Sequence, residues 1–310
     1  METVKVVVQG SLIFDLITKA KVLPRVGQAV IGTGFGMFSG GKGANQAVQL
    51  ARLGAGVTMI GRIGRDFMGD FLLERHREEG INTEYITRDE ETATSLCAIH
   101  VDEQGRNDII VVPQANSRCS ASDVEAAEAS IAEADLVLTQ LETTVEAMEK
   151  TVELGVKHGK PVVLNPAPAS KISREILKKV FLLTPNETEA EEISGVRQDQ
   201  YSCEEWRKRA AAAMHDLGAE RIIITLGEAG CYYSAKGEEL LVPAFKIKPE
   251  DSTAAGDAFN GALCFALAQG KSVKDAVIRG NAAGALAASR FGSQASLCTM
   301  AELSAFLAEQ

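Results

Sequence analysis

The sequence predicts an α/β fold: a central, mostly parallel sheet flanked by helices, with a small β-sheet lid projecting from it. Three observations carry that prediction. Short β-branched runs alternate with helical stretches over most of the chain. The runs are continuously apolar rather than alternating. Two segments, about 10–40 and 94–112, break the rhythm with β character of their own. Strand–helix alternation favours a parallel sheet with helices on both faces, and strands covered on both faces read as unbroken apolar runs.

The elements follow in order. Val4–Val8 (VKVVV) reads as a buried strand, as do Val57–Gly61, Asp135–Gln140, Pro161–Asn165, Phe181–Asn186 and Arg221–Gly227. Ala44, Ala47, Val48 and Ala51 recur at i, i+3, i+4 and i+7, one face of a helix. Asp123–Glu133 is Ala/Glu-rich and reads as a helix. Thr143–Lys157 carries apolar residues at 145, 148, 152 and 156 and ends near Gly159. Residues 10–38 hold GTGFGMF and no helical pattern. Residues 94–112, TSLCAIHVDEQGRNDIIVV, read as a hairpin with a polar turn at Asp102–Asn107. A small sheet at the C-terminal edge of a parallel sheet is well placed to act as a lid, because ligands bind at that edge. After Asp251 the chain reads as nearly all helical. With no repeat, low-complexity tract or linker, residues 1–310 read as one domain.

Composition narrows the function. A chain of 310 residues, 45% hydrophobic and 24% charged, can bury a sizeable core. The formal charge of −10, without a Lys/Arg block, argues against nucleic acid as a partner. An anionic substrate would need a local positive site. No stretch approaches the ~20 apolar residues of a membrane helix. METVKVVVQG lacks a signal-peptide layout, so a cytoplasmic protein is expected. Cys97, Cys119, Cys203, Cys231, Cys264 and Cys298 are scattered without a C-x-x-C pair, and the histidines show no ligand spacing. Buried free thiols are expected, and a zinc site is not.

Three segments carry candidate chemistry. Gly36–Asn45 (GMFSGGKGAN) follows a phosphate-loop pattern up to its last position, where Gly43 stands instead of Ser or Thr. A true phosphate loop needs that hydroxyl on Mg²⁺. What remains is a glycine-rich backbone that a ligand can approach closely, with Lys42 and Asn45 at a helix start offering donors to an oxygen-rich ligand. In Asp251–Gly270, small residues lead into an apolar helix with Asp257 in its first turn. The N–H groups of Ala255, Gly256 and Asp257 there make an anion site for a transferring phosphoryl group. Acidic residues are also ordinary at helix starts, but the small-residue run excludes bulk where a ligand must touch backbone. In TPNETEAEEISG, Asn186 and Glu189 follow a strand end one helical turn apart. They suit a Mg²⁺–phosphate site; taken alone, the segment fits a solvated acidic helix start better.

Together, and in order over the whole chain, these segments resemble the ribokinase, or PfkB-type, family of carbohydrate kinases. SGGKGANQAVQLARLGA resembles the family's N-terminal signature and DSTAAGDAFNGALC its C-terminal one. TPNETEAE is similar to its Asn-x-x-Glu metal segment, and LNPAPA resembles the ribokinase branch. The resemblance implies a Rossmann-like body with a β lid, and it implies roles. Asp257 is the implied catalytic base toward the sugar's primary hydroxyl, with Ala254, Ala255 and Gly256 forming the anion hole. Asp15, Gly41, Lys42, Asn45 and Glu142 match sugar-binding positions. Asn186 and Glu189 match positions that organise Mg²⁺ and phosphates. Thr225, Gly227, Gly230 and Asn281, with Asn186, match nucleotide-binding positions. Asp251, Thr253, Ala288, Phe291, Ser293 and Ser296 lie where the family binds an activating monovalent cation, K⁺. ATP with Mg²⁺, a small sugar and a homodimer formed through the lid are implied as partners.

One position departs from the family pattern. In GSLIFD, Gly10–Asp15, Ile13 stands where ribokinases have Asn beside the sugar. Ile offers no hydrogen bond, so discrimination against a deoxy sugar should weaken. The implied activity is ATP-dependent phosphorylation of a pentose at its terminal hydroxyl, with ribose, 2-deoxyribose and other small sugars as competitors. A nucleoside kinase of the same superfamily stays open, because Phe14, Phe35 and Phe38 in the lid segments could grip a base. A non-catalytic sugar or nucleotide sensor is the alternative from another class; the intact Asp257 and its small-residue run speak against it.

Overall fold

In the computed structural model, which describes residues 3–310, nine strands form one sheet and four form a second. In chain order the strands are β1 (Lys5–Gln9), β2 (Ile13–Ala20), β3 (Gly32–Gly40), β4 (Gly56–Gly64), β5 (Asn82–Asp89), β6 (Leu96–Val101), β7 (Asn107–Val112), β8 (Leu136–Thr139), β9 (Val162–Leu164), β10 (Leu182–Leu183), β11 (Arg221–Thr225), β12 (Cys231–Ala235) and β13 (Glu238–Val242). The helices are α1 (Lys42–Arg52), α2 (Phe67–Glu78), α3 (Ala121–Glu125), α4 (Glu128–Glu133), α5 (Val145–Lys157), α6 (Arg174–Leu177), α7 (Glu187–Ser194), α8 (Cys203–Leu217), α9 (Ala255–Ala268), α10 (Val273–Ala288) and α11 (Met300–Ala308).

The large sheet runs β13-β12-β11-β10-β9-β8-β1-β4-β5. Its strands are parallel except for the hairpin β12–β13 at one edge. Both faces are covered. Val6 and Val8 of β1 enter a core shared with α1, α9 and α10, whereas Val7 enters a core shared with α5 and α8. That two-sided burial is why VKVVV is apolar at successive positions rather than at alternate ones. The second sheet, β3-β2-β6-β7, pairs β2 with β6 in parallel and flanks them with antiparallel strands. The polar turn expected at 102–107 closes β6–β7, with Asp102 N–H donating to Arg106 O at 3.0 Å.

Several expectations need correcting. The helix read over Asp123–Glu133 is two helices, α3 and α4. Between them Ala127 N–H donates to Val124 O at 3.0 Å, a turn that leaves Val124, Ala127 and Ile131 all fully buried. On α5 the buried face is rotated from the one expected. Met148 and Val152 are buried, but Val145 and Val156 are half exposed, and Ala147, Thr151, Leu154 and Gly155 complete the inner face. Gly155 permits this: a Cβ there would collide with Val162 of β9. Of the six cysteines, Cys203 is exposed at the start of α8 and the other five are buried and free. The apolar-run criterion passes over β5, whose sequence NTEYITRD is that of a polar edge strand, and over the β12–β13 hairpin. Among the described residues no helix is long and apolar enough to cross a membrane.

The main sheet positions the site. The helix starts of α1, α7 and α9 meet at the C-terminal edge of β1, β8, β9 and β10. The second sheet joins the body at that same edge, through Gly10–Leu12 after β1. Asn116 pins this junction by donating to Leu12 O at 3.0 Å and accepting from Leu12 N–H at 3.2 Å.

Candidate active site

The glycine-rich opening of α1 has no N–H to offer a phosphate. Lys42 N–H donates to Glu142 Oε2 at 2.8 Å and Gly43 N–H to Ser11 Oγ at 3.3 Å. Ala44 N–H donates to Ser11 O, and Asn45 N–H to Gly41 O, both at 2.9 Å. A helix N-terminus binds an anion through its unsatisfied N–H groups, and here the protein's own carboxylate and Ser11 already use them. Gly43 is required by packing: a Cβ there would sit 2.7 Å from the Gly10 Cα. Gly41, at φ 94°, turns the chain from β3 into the helix.

The start of α9 is the opposite case. Ala254 stands before it in the left-handed region at φ 60°, and Ala255 N–H closes a turn onto Ser252 O at 3.1 Å. The first helical bond is Ala258 N–H to Ala254 O. No hydrogen bond among the described residues uses the N–H of Gly256 or Asp257. A Cβ built on Gly256 meets nothing within 4 Å, so the space beside that backbone is open. The unsatisfied N–H groups therefore lie at Gly256 and Asp257 and not at Gly41–Asn45. The expected share of the Ala255 N–H is corrected, because the turn onto Ser252 already uses it.

Asp257 is buried, and its carboxylate is held at both oxygens. Asn45 Nδ2 donates to Oδ2 and Gln46 Nε2 to Oδ1, each at 2.9 Å. Burial pushes its pKa up; the nearby Lys42 charge and the two amide donors oppose that shift. For Lys42, burial works against the charge, but Asp257, Glu142 and Glu189 around it outweigh burial and hold its pKa above the ordinary value. Lys42 thus supplies the local positive charge that the acidic chain as a whole lacks.

Asp15 reaches the same site from β2. Its carboxylate lies against Gly40, where any Cβ would collide with it. Burial, and then the charge of Glu142, push its pKa up to about 7. Glu142 in turn accepts from Ser11 Oγ at 2.5 Å as well as from Lys42 N–H. Ile13 is buried and, by strand alternation, shares the face of Asp15. Cys97 pairs with Asp15 across β2–β6 and shares that face too; burial, Asp15 and Glu142 raise its thiol to about 11. Of the three lid aromatics only Phe38 lies on this side. Phe14 packs edge-to-face on Phe67 and Phe71 in the core, and Phe35 projects from the opposite face.

A family model described as pfkB family carbohydrate kinase matches residues 3–300. The chain belongs to that family. It is 39% identical to a ribokinase of Haemophilus influenzae over 97% of each chain. It is also 32% identical to a deoxyribokinase of Salmonella typhi, over 97% of this chain and 98% of that one. The structure of an Arabidopsis thaliana ribokinase complexed with ribose and ATP superposes with a TM-score of 0.90 at 27% identity, over 99% of both chains. The fold is ribokinase-like, and the chain is an ATP-dependent sugar kinase.

Other expected residues of this pfkB-family kinase fall around the same edge. Asn186 and Glu189 form a closed capping box. Glu189 N–H donates to Asn186 Oδ1 at 2.8 Å, while the Glu189 carboxylate accepts from Asn186 N–H at 2.8 Å and from Asn186 Nδ2 at 2.9 Å. Asn186 and Thr188 are exposed, as a solvated helix start would have them, but Glu189 is buried, and burial raises its pKa. Thr225 bridges to Asn186, placing the end of β11 beside the capping box. Gly227, at φ 52°, opens the turn that follows. Gly230 and Asn281 both meet the end of β13. A Cβ on Gly230 would collide with Val242 O, and Asn281 Nδ2 donates to Val242 O at 3.3 Å and Pro243 O at 3.1 Å.

Five of the six residues expected around a monovalent cation lie in the segments before α9 and after α10, and Ala288 is the last residue of α10. Asp251 accepts from Thr253 N–H at 2.9 Å and from Gly292 N–H at 3.0 Å. Ala288 O accepts from the N–H groups of Glu250 and Asp251 at 2.8 and 3.3 Å. Ser296 Oγ donates to Ser293 O at 2.7 Å, and Ser293 Oγ to Asn45 Oδ1 at 3.2 Å, tying this loop to the start of α1. The Phe291 ring is exposed, with the Lys19 ammonium 5.5 Å from its centroid. The polar atoms here are oxygens of side chains and carbonyls, the donor chemistry of a hard cation. Among the described residues no group of three or more His, Cys, Asp or Glu gathers to hold a metal.

Sequence reasoning missed Gln46, which touches Asp257 directly. The signal was present: α1 interleaves Asn45, Gln46 and Gln49 with small apolar residues, and all three amides are buried. A buried polar side chain in a helix covered on nearly every side has a partner to serve.

Proposed function

We propose that the protein phosphorylates ribose at its terminal hydroxyl, using ATP with Mg²⁺. The observation that carries this reading is the meeting of Asp257, held at both oxygens, with the free N–H groups of Gly256 and Asp257 at one helix start. A carboxylate aimed at a hydroxyl and an anion cradle beside it are the two things that phosphoryl transfer to an alcohol requires. Ribose is favoured by the similarity to curated ribokinases and to the ribose-bound structure.

In this mechanism Asp15, Lys42, Asn45 and Glu142 grip the sugar hydroxyls and aim the terminal one at Asp257. The Asp257 carboxylate takes the hydroxyl proton as the oxygen bonds to the γ-phosphorus, and the bond from that phosphorus to the ADP oxygen breaks in line. The N–H groups of Gly256 and Asp257 hold the equatorial oxygens. Asn186 and Glu189 sit where Mg²⁺ on the nucleotide would be held through water, and the ion supplies neutralisation of phosphate charge. Thr225 and Gly227 line the nucleotide side. Gly230 and Asn281 shape that side from the end of β13. Asp251, Thr253, Ala288, Phe291, Ser293 and Ser296 would hold K⁺, in segments joined to Asn45 through Ser293. The lid exposes Phe38, Ile109 and Val111 on the Asp15 side, an apolar strip that a second copy's lid would cover, so a homodimer is part of the proposal.

A panel of ribose, 2-deoxyribose, other small sugars and adenosine with ATP, Mg²⁺ and K⁺, read as ADP release, tests the proposal. Highest kcat/KM on ribose supports it. Preference for adenosine would make the protein a nucleoside kinase, and no turnover on any member would make it a sensor. Light scattering reads the dimer.

A further inference from the structure

We propose that Gln46 and Gln140 act in series as positioning residues for Asp257: Gln140, together with Asn165, fixes which end of the Gln46 amide faces the carboxylate, and Gln46 keeps that carboxylate ready to accept a proton. The proposal rests on Asp257 being the base.

A primary amide has a donor end and an acceptor end, and turning it over exchanges them. The orientation of Gln46 follows from a chain anchored on the backbone. Asn165 donates from Nδ2 to Thr184 O at 3.0 Å, and a backbone carbonyl can only accept. Its Oδ1 therefore faces Gln46 and accepts from Gln46 Nε2 at 3.0 Å, the same nitrogen that donates to Asp257 Oδ1. The Gln46 oxygen then faces Gln140, whose Nε2 donates to it at 2.6 Å. Gln46 and Gln140 are completely buried, so neither touches substrate.

Gln140 carries a cost that its donation explains. Its Oε1 is buried without a partner among the described residues, and it lies where any Cβ on Gly10 would be. A buried orphan oxygen opposes folding, and Gly10 is the only residue type that leaves room for it. The other end of the amide holds Gln46 with its nitrogen toward Asp257. With Gln46 reversed, an amide oxygen would face the carboxylate, favouring the protonated acid, which cannot act as a base.

The test measures kcat and sugar KM across pH, with ATP and ribose, for the wild type, Gln46→Leu, Gln140→Leu, the double variant and Asp257→Asn. Gln46→Leu should lower kcat about tenfold or more and leave sugar KM within about twofold. The acidic limb of its kcat profile should move to higher pH, because burial of Asp257 then meets one donor fewer. Gln140→Leu should move the same readouts in the same direction by less. The double variant should match Gln46→Leu, since Gln140 acts only through Gln46. A folded Gln46→Leu protein with wild-type kcat and acidic limb overturns the proposal, as do additive effects in the double variant. Should Gln46→Leu fail to fold, Gln140→Leu decides on the same measurements. Full activity in Asp257→Asn would instead overturn the assignment of the base itself.

Discussion

Asn45 and Asp257, separated by 212 positions in the chain, share a hydrogen bond of 2.9 Å at the point where the starts of α1 and α9 meet. The bond joins the glycine-rich segment that looks like a phosphate loop to the segment that holds the free N–H groups of Gly256 and Asp257. It divides the labour between them: α1 brings the amide side chains that hold the carboxylate, and α9 brings that Asp257 carboxylate and the free backbone N–H groups. On this division, Asp257→Ala should leave sugar binding nearly intact and lower kcat by about 10²–10⁴-fold. Titration calorimetry with the sugar and steady-state ADP release check the two halves separately. A variant keeping more than about a tenth of wild-type kcat would sink the role of Asp257 as base.

Gly256 tests the backbone contribution of α9. A Cβ there meets no protein atom within 4 Å, so Gly256→Ala should fold normally, with stability unchanged or raised by up to about 1 kcal/mol. The added methyl group occupies the space beside the free N–H groups, and kcat should fall about 10²–10³-fold, the usual loss when an anion-stabilising donor is removed. Thermal unfolding and turnover on one preparation check both statements. Normal turnover would mean that the phosphoryl group sits elsewhere.

Much of this was legible in the sequence, for a physical reason. Parallel strands buried on both faces leave continuous apolar runs, so β1, β4, β8, β9, β10 and β11 announce themselves. The lid is legible through its lack of helical period. Asp257 stands out because small residues precede it. The rest depends on contacts that no local pattern encodes. That Glu142 accepts the first N–H of α1 depends on β8 ending beside β1. Gln46 finds Asp257 only after α1 and α9 pack together. Glu189 reads as solvent-facing because its segment is acidic, and its burial comes from the crowded C-terminal edge of the sheet. Val145 and Val156 mislead on α5 because Gly155, and not a valine, sets its closest approach to β9.

Asp15 should make both stability and sugar binding depend on pH. Its pKa is raised to about 7 from an ordinary 3.8, so between those values the folded protein holds a proton that the unfolded chain releases. The stability this contributes is complete below the ordinary value and is lost as pH rises through about 7. The advantage of Asp15→Asn over wild type in thermal unfolding should therefore widen across that window and level off above it. Sugar binding runs the other way, since hydroxyl donors favour the ionised carboxylate. Wild type should bind the sugar more tightly at about pH 8 than at about pH 6, and Asp15→Asn should show little change. Calorimetry at the two pH values checks this, and equal wild-type affinities would remove Asp15 from the set of groups that accept from the sugar.

Ile13 bears on which sugar the site prefers. It is buried on the Asp15 face of β2, and a sugar hydroxyl facing it would meet only apolar contact. A hydroxyl facing it would give up its water without gaining a partner, so the preference for ribose over 2-deoxyribose should be narrower than with a polar residue at this position. Ile13→Asn supplies a donor and an acceptor at that point. It should raise the ratio of kcat/KM for ribose over 2-deoxyribose by about tenfold or more. The change should come mainly from a poorer reaction with the deoxy sugar, which leaves the new amide unpaired. Burying an amide where Ile packs should cost about 1–3 kcal/mol of stability in the empty enzyme, part of which ribose restores on binding. Competition assays with both sugars, together with unfolding curves in the presence and absence of ribose, read these effects. An unchanged ratio would mean that no sugar hydroxyl faces residue 13, and that discrimination between the two sugars rests with Asp15, Asn45 and Glu142.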